Sequence, residues 1–310
     1  MIAELLVPLL VPFVVPALAE RCVQRLAPVT ALWLLTLTAI LLAGSSLVAL
    51  GSLVLTGLLK LPVLAMLGEL IHPLHTASDF LVLPAATAAV GALSISAWTL
   101  TRSALRQIRA LRTAHRQADS RRTAGDLCVI DSPYPDAYAL PGRPSRIVVT
   151  TAMIRSLDPA EREALFAHER AHNAGRHHYF LATAELAAQC HPGLRPARAA
   201  IRLAAERAAD EAAAAAVGDR RLAARAIARA ALATDARRSE RPIVTPAATT
   251  GPVPQRVTAL LAGPRTRTRR TAPWIALLLA ACAATSACTS ATGAIAFHHE
   301  IEVAQGEAPR

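Results

Sequence analysis

The chain has 310 residues, 53% of them hydrophobic, with a formal charge of +11 and one lysine, Lys60. That apolar fraction exceeds what one soluble domain buries and points to a membrane protein, while the arginines crowd the edges of apolar segments, so no nucleic-acid partner is expected. Cys22, Cys128, Cys190, Cys282 and Cys288 form no C-x-x-C pair and are odd in number, which excludes a disulfide framework and a cysteine zinc cluster.

Four segments are long and apolar enough to cross a bilayer, which takes about 20 residues per helix: Ile2–Ala19, Val29–Leu59, Phe80–Leu100 and Ala272–Phe297. The first carries Glu4 and the prolines Pro8, Pro12 and Pro16, spaced to share one face of a bent helix. Its start lacks the positive charge of a secretory signal, so an uncleaved span is expected despite the Ala17-Leu18-Ala19 ending. Leu61–Ile71 is too short to span and reads as interfacial or re-entrant.

Arginines follow the third span (Arg102, Arg106, Arg109, Arg112, Arg116, Arg121, Arg122) and precede the fourth (Arg265, Arg267, Arg269, Arg270), which assigns the region between them to the cytoplasm. The expected organisation is residues 1–100 with three transmembrane helices, 101–271 a cytoplasmic α+β domain with a small sheet, 272–297 a fourth helix and 298–310 a short outer tail. Both termini then lie outside, in a mainly α, multi-pass protein of the cell membrane whose lipid-headgroup anchors are the arginine clusters.

Leu105, Ile108 and Leu111 share a stripe among arginines and predict a basic amphipathic extension of the third span. Strands are predicted at Leu127–Ile130, Ala137–Leu140 and Arg146–Thr151, separated by Pro-, Asp- and Gly-rich turns. The last reads either as an edge open to a substrate strand or as a buried structural strand. Asp158 as N-cap, Pro159 as first helical residue and Glu161 as capping-box partner then start a helix that runs to about Ala174, with Gly175 as its stop. Further helices are predicted over Ala197–Val217 and Arg220–Thr234, followed by a loop over Pro242–Pro254.

The first of these helices contains His168-Glu169-Arg170-Ala171-His172. Histidines four apart lie about 40° apart around a helix, so both rings reach one zinc ion, while Glu169 is turned toward its water. A catalytic zinc site has three protein ligands and one open position. Glu206, in Glu206-Arg-Ala-Ala-Asp210, is the candidate third ligand, and Asp210 the candidate acceptor of a histidine's outer N–H. Glu211 is turned about 100° away from Glu206. The expected reaction is peptide hydrolysis by a zinc-activated water, with Glu169 as general base. His177 and His178, just past the helix stop, are expected to cap or pack, and His191 to lie in a loop; no oxyanion-stabilising side chain beyond the metal is read from the sequence, and nothing in it supports Arg237 or Arg238 in that role.

The order of Asp136-Ala-Tyr-Ala-Leu-Pro-Gly142, the strand from Arg146, Leu157-Asp158-Pro159, His168-Glu-Arg-Ala-His172 and Glu206-Arg-Ala-Ala-Asp210 resembles the BlaR/MecR-type integral membrane zinc peptidases, and more distantly the CaaX prenyl protease and HtpX group. The resemblance implies a gluzincin-like metalloendopeptidase with one catalytic zinc, Glu206 as third ligand, and a cytoplasmic repressor as protein substrate. It does not extend to β-lactam sensing: a Ser-x-x-Lys motif is excluded, because the only lysine is Lys60 and residue 57 is glycine. The competing functional class is a non-catalytic membrane signalling or scaffold protein that keeps zinc for structure; a solute transporter is disfavoured by spans that carry little charge beyond Glu4.

Overall fold

The computed structural model describes residues 2–60, 79–121, 123–235, 253–263 and 273–305. Leu61–Ile71, Arg237, Arg238 and the Pro242–Pro254 segment up to residue 252 lie outside them.

Among the described residues, three helices are long and apolar enough to cross a membrane, or four if the bent first pair forms one span. The first segment is not one helix. α1 (Ile2–Leu10) ends in a 3-10 turn, Val11–Phe13, and α2 (Val15–Arg25) leaves at 47°. Proline rings supply the break: Pro12 and Pro16 each sit at the start of a new helical segment, where the missing N–H costs nothing, but neither can continue the ladder behind it.

α3 (Pro28–Leu58) is a continuous 31-residue helix whose Thr36, Ser45, Ser46 and Thr56 hydroxyls donate to carbonyls four residues back, so they present no unsatisfied polar group to an apolar surround. Small residues set its contacts. Gly57 leaves room for Ala86 of α4 (Asp79–Asp119), and in α11 (Pro273–Gln305) Gly293 leaves room for Leu5, where a Cβ would meet Leu5 Cδ2 at 2.7 Å.

The expected boundary at residue 100 falls inside α4, which continues unbroken into the basic segment and packs Ala114 and Ala118 beneath the sheet. Its Leu105, Ile108 and Leu111 remain exposed.

The sheet has β1 (Thr123–Ala124), β2 (Leu127–Ile130), β3 (Ala137–Leu140) and β4 (Arg146–Thr150) in the order β1-β2-β4-β3. β2 and β4 are parallel; the outer pairs are antiparallel. The Arg146 strand is therefore central and buried, and the edges belong to the two-residue β1 and to β3. Val149 of β4, Met153 of the short helix α5 (Thr151–Ser156), Leu157 and Leu165 form the small core under this layer.

α6 (Pro159–Ala174) starts with the capping box read from the sequence: Asp158 Oδ1 accepts from Glu161 N at 2.8 Å, and the Glu161 carboxylate accepts from Asp158 N at 3.1 Å. Glu161, 0% exposed, also takes Arg225 (2.9 Å) and Arg229 (2.8 Å) from α9 (Arg220–Asp235). One carboxylate thus caps the start of a helix and clamps α6 to α9. Arg176, at φ 52°, turns the chain into a helix the sequence did not announce, α7 (His177–Cys190). A 3-10 turn, Pro192–Leu194, then leads to α8 (Arg195–Val217), which stops at Gly218 in the left-handed region at φ 71°. α10 (Val253–Leu261) follows the undescribed segment.

The largest core joins Leu18 and Cys22 of α2, Leu32, Leu35 and Leu42 of α3, Phe180 and Ala184 of α7, Ile201, Ala204 and Ala205 of α8, and Ile275 and Leu279 of α11. The membrane-type helices and the motif-bearing part of the chain thus share one apolar interior.

Candidate metal centre

α6 and α8 pack side by side and bring His168, His172 and Glu206 together, with one ligand atom from each lying within 4.8 Å of the others. The Nε2 atoms of His168 and His172 are 3.1 Å apart; Glu206 Oε2 is 3.6 Å from the first and Oε1 3.8 Å from the second. On its other side, His168 Nδ1 is 3.0 Å from Asp210 Oδ1, without the alignment of a full hydrogen bond. His168 and Asp210 are 5% and 2% exposed. Glu211 is turned away and pairs with Arg220 at 2.6 and 2.8 Å.

Two further groups belong to the site. Arg256 of α10 donates to both oxygens of Asp210 (2.7 and 2.8 Å), and its Nη1 is 2.9 Å from Glu206 Oε2. No local pattern marks it: it is one arginine of many, two residues past the Pro242–Pro254 segment predicted as a loop. His177, expected to cap or pack, is buried with Nδ1 2.9 Å from His172 Nδ1. The two nitrogens share one hydrogen; with it on His172, the Nε2 of that ring carries the lone pair a metal requires. Gly175 makes the room, since a Cβ there would meet His177 Nε2 at 2.5 Å. His191 is buried at the turn before α8, where its Nδ1 accepts from Gly193 N at 3.1 Å.

Electrostatics separate the roles. Burial pushes Glu169 up to about 7, with Glu206 adding to the rise and His168 and the Ala139 N–H opposing it. Burial and the charge of His168 push His172 down to about 3, so its ring is neutral. Burial alone would lower His168, but Asp210 and Glu206 outweigh it and hold the ring at about 9. Burial would raise Glu206, yet His168 and Arg256 bring it to about 2.

These residues fit a divalent cation. With His168 neutral, as a metal ligand must be, and Glu169 ionised, three carboxylates, Glu169, Glu206 and Asp210, face one guanidinium, which leaves two negative charges that a divalent ion balances. Two donors each about 2.0–2.1 Å from one ion in tetrahedral geometry stand roughly 3.3 Å apart, close to the separation of the two Nε2 atoms.

The cluster forms the floor of an open cleft of about 930 Å³. Ala137, Tyr138 and Ala139 of β3, Ile227, Ala231 and Leu232 of α9, and Glu169 all line it. In the antiparallel β3–β4 pair, Thr150 N donates to Asp136 O at 3.0 Å, and residues pair with alternating bonds. Ala137 and Ala139 therefore direct their backbone N–H and C=O groups to the free edge, and the Ala139 N–H meets Glu169.

Residues 101–195 match the family model described as Peptidase family M48, less than a third of the chain. No curated protein and no solved structure matches it. The matched segment covers the sheet, α6 with its His-Glu-Arg-Ala-His run and α7, and stops before Glu206, so the geometry on α8 is independent of it. The segment of this chain that carries the two histidines and Glu169 is similar to Peptidase family M48, and with the His-His-Glu cluster that similarity supports a metallopeptidase.

Proposed function

We propose that the chain is a membrane-bound zinc metalloendopeptidase of the BlaR/MecR-like kind, acting in regulated proteolysis of a cytoplasmic regulator, a repressor of transcription being the model substrate. The observation that carries this reading is the convergence of His168, His172 and Glu206 beside Glu169 on the floor of a cleft walled by a free strand edge.

In this reading His168, His172 and Glu206 hold one zinc, and Asp210 holds His168 by its outer nitrogen while His177 does the same for His172. Zinc in such a site polarises a carbonyl and lowers the pKa of a water toward 7. The substrate lies as an added strand against Ala137 and Ala139 of β3, which presents its scissile carbonyl above Glu169. The Glu169 carboxylate takes a proton from a water molecule as the water oxygen bonds to the carbonyl carbon, then delivers that proton to the nitrogen as the C–N bond breaks. Burial around Glu169 suits both halves of that cycle, because a carboxyl poised near neutrality accepts and releases a proton with comparable ease. The site faces the cytoplasm, with both termini outside, in the orientation given by the arginine clusters.

Glu169→Gln tests the proposal against a structural zinc site: the variant keeps stoichiometric zinc and loses peptide hydrolysis. Unchanged hydrolysis of a peptide library by the variant would refute the assignment.

A further inference from the structure

We infer that Asp136, at the entry to the edge strand β3, sets the specificity of the cleft by taking a cationic side chain, arginine or lysine, about two residues from the bond that is cut. The inference rests on the peptidase reading above and adds which peptides the cleft selects.

Three carboxylates line the cleft: Asp136, Glu169 and Glu206. Glu206 faces the two histidines and Arg256, and Glu169 stands beside them, so the metal cluster accounts for both. Asp136 lies outside that cluster and has no ion pair among the described residues. Its neighbours are different. Asp119 pairs with Arg146, Asp126 and Glu163 with Arg170, and Glu161 with Arg225 and Arg229. Asp131 and Asp219 also lack an arginine, but they accept from the Thr151 hydroxyl and from the first N–H groups of α9, and neither lines the cleft. In a chain with 33 basic residues against 22 acidic ones, a cleft carboxylate without a cation is open to one from outside. Asp136 is exposed, as a group that meets a ligand must be, and the protein packed around it still pushes its carboxyl up, with the Ala137 N–H opposing.

The strand edge sets where a peptide meets this carboxylate. Thr150 N donates to Asp136 O, and the Tyr138–Val148 and Leu140–Arg146 pairs follow the same alternation, so Ala137 and Ala139 turn their backbone groups outward. Each outward N–H already has a carboxylate, Glu169 for Ala139 and Asp136 for Ala137. Among the described residues no donor is bonded to the Ala137 and Ala139 carbonyls, which leaves them to accept a peptide's own N–H groups. A peptide aligned by these two carbonyls passes Glu169 and Asp136 in turn. Ala137 and Ala139 stand about 7 Å apart at roughly 3.4 Å per residue, so a side chain about two residues from the carbonyl above Glu169 comes level with Asp136.

Asp136 is fixed for this task. Its N–H donates to Thr150 Oγ1 at 2.9 Å, its carbonyl accepts from Thr150 N at 3.0 Å, and its carboxylate holds the Ala137 N–H. Tyr138 lines the cleft beside it, close enough for the Asp136 charge to add to the upward push that burial gives its hydroxyl. A carboxylate next to an aromatic ring suits a guanidinium, which hydrogen bonds to the one and stacks on the other. The other charges of the cleft do not compete: Arg256 is tied to Asp210 and Glu206, and burial lowers His178 toward its neutral form. Met153, Leu165, Ile227 and Leu232 supply apolar lining. Selection of charge therefore falls to Asp136. Basic segments of this kind are what a nucleic-acid-binding regulator carries.

Peptide pairs that differ only by arginine or its neutral isostere citrulline test the assignment. At +11 the chain as a whole repels cationic peptides, so a preference for arginine has to come from a local group. Octapeptide libraries carrying one such residue at each position in turn are offered to the zinc-loaded full chain in detergent, with products read by mass spectrometry. The same pairs are titrated by fluorescence anisotropy into Glu169→Gln, which holds peptide without cutting it. Arginine about two residues from the cut should raise kcat/KM about tenfold over citrulline and tighten binding to Glu169→Gln by a similar factor. Asp136→Asn and Asp136→Ser, two neutral variants that keep an oxygen for the Ala137 N–H, should bring both ratios close to one, and Asp136→Glu should retain a preference. Equal handling of arginine and citrulline by the parent at every position overturns the proposal, as does a preference that survives both neutral variants. Arginine-selective binding to Glu169→Gln with no peptide cut by the parent sinks the peptidase reading and leaves the selection standing; cleavage without the preference does the reverse, and absence of both binding and cleavage overturns both.

Discussion

α6 and α8 supply the same metal cluster but are written in the sequence in opposite ways. α6 is amphipathic, begins with a reciprocal capping box and carries its two histidines and Glu169 within five residues, so local rules describe it. α8 is an alanine-rich helix buried on most sides, where Glu206, Asp210 and the buried Arg207 make sense only through distant partners: Arg256, His168 and the Val23 carbonyl, to which Arg207 donates. A charge on a buried helix needs a tertiary partner, so the half of the site on α8 depends on the fold in a way that the half on α6 does not.

Substitutions separate the two helices by the size of their effects. The largest comes from α6: Glu169→Gln should cost about 10²–10⁴-fold in hydrolysis, measured with a quenched fluorescent peptide, at unchanged zinc content. On α8, Glu206→Ala removes one of the three ligands, and chelator competition should show zinc lost before the protein unfolds. Arg256→Ala should weaken zinc retention by about 10–100-fold, as removal of a group that orients ligands does, and Arg256→Lys should fail to restore it because one ammonium cannot bridge two carboxylates in a fork. An Arg256→Ala protein that binds zinc like the parent would make α8 as self-sufficient as α6.

Stability changes come next. Gly193→Ala forces a methyl against the Pro12 backbone and should cost about 1–3 kcal/mol, seen as a lower melting temperature in detergent. The smallest is pH-dependent. Arg229, the Asp158 N–H and Arg225 outweigh burial and hold the Glu161 carboxyl below its usual range. Its stabilisation is therefore complete above the ordinary carboxylate pKa and is lost as pH falls through the lowered folded-state value. The melting-temperature gap between parent and Glu161→Gln should be widest near neutrality and narrow on acidification.

Much of this was legible, for physical reasons that differ by element. β2, β3 and the start and stop of α6 follow from short-range signals, namely alternation, turn residues, a cap and a glycine. Strand order is not local, so Arg146–Thr150 read equally well as edge or centre until β2 and β3 were seen on either side. α7 is not legible locally, because Gly175 and two histidines look like the end of a helix; the left-handed Arg176 instead turns the chain straight into the next one. Pro8, Pro12 and Pro16 suggested a smooth bend, whereas the turn between α7 and α8 occupies a true break. Arg256 and the inward face of His177 leave no trace in sequence spacing, since each is defined by what it meets across the fold.

The central claim is that His168, His172 and Glu206 hold one zinc. X-ray absorption at the zinc edge of the full chain tests it most directly. The account predicts two imidazole nitrogens and carboxylate oxygen at about 2.0–2.2 Å, with one imidazole lost in His172→Ala and the oxygen shell depleted in Glu206→Ala. A sulfur shell at about 2.3 Å, from any of the five free cysteines, or spectra unchanged by both substitutions, would contradict it.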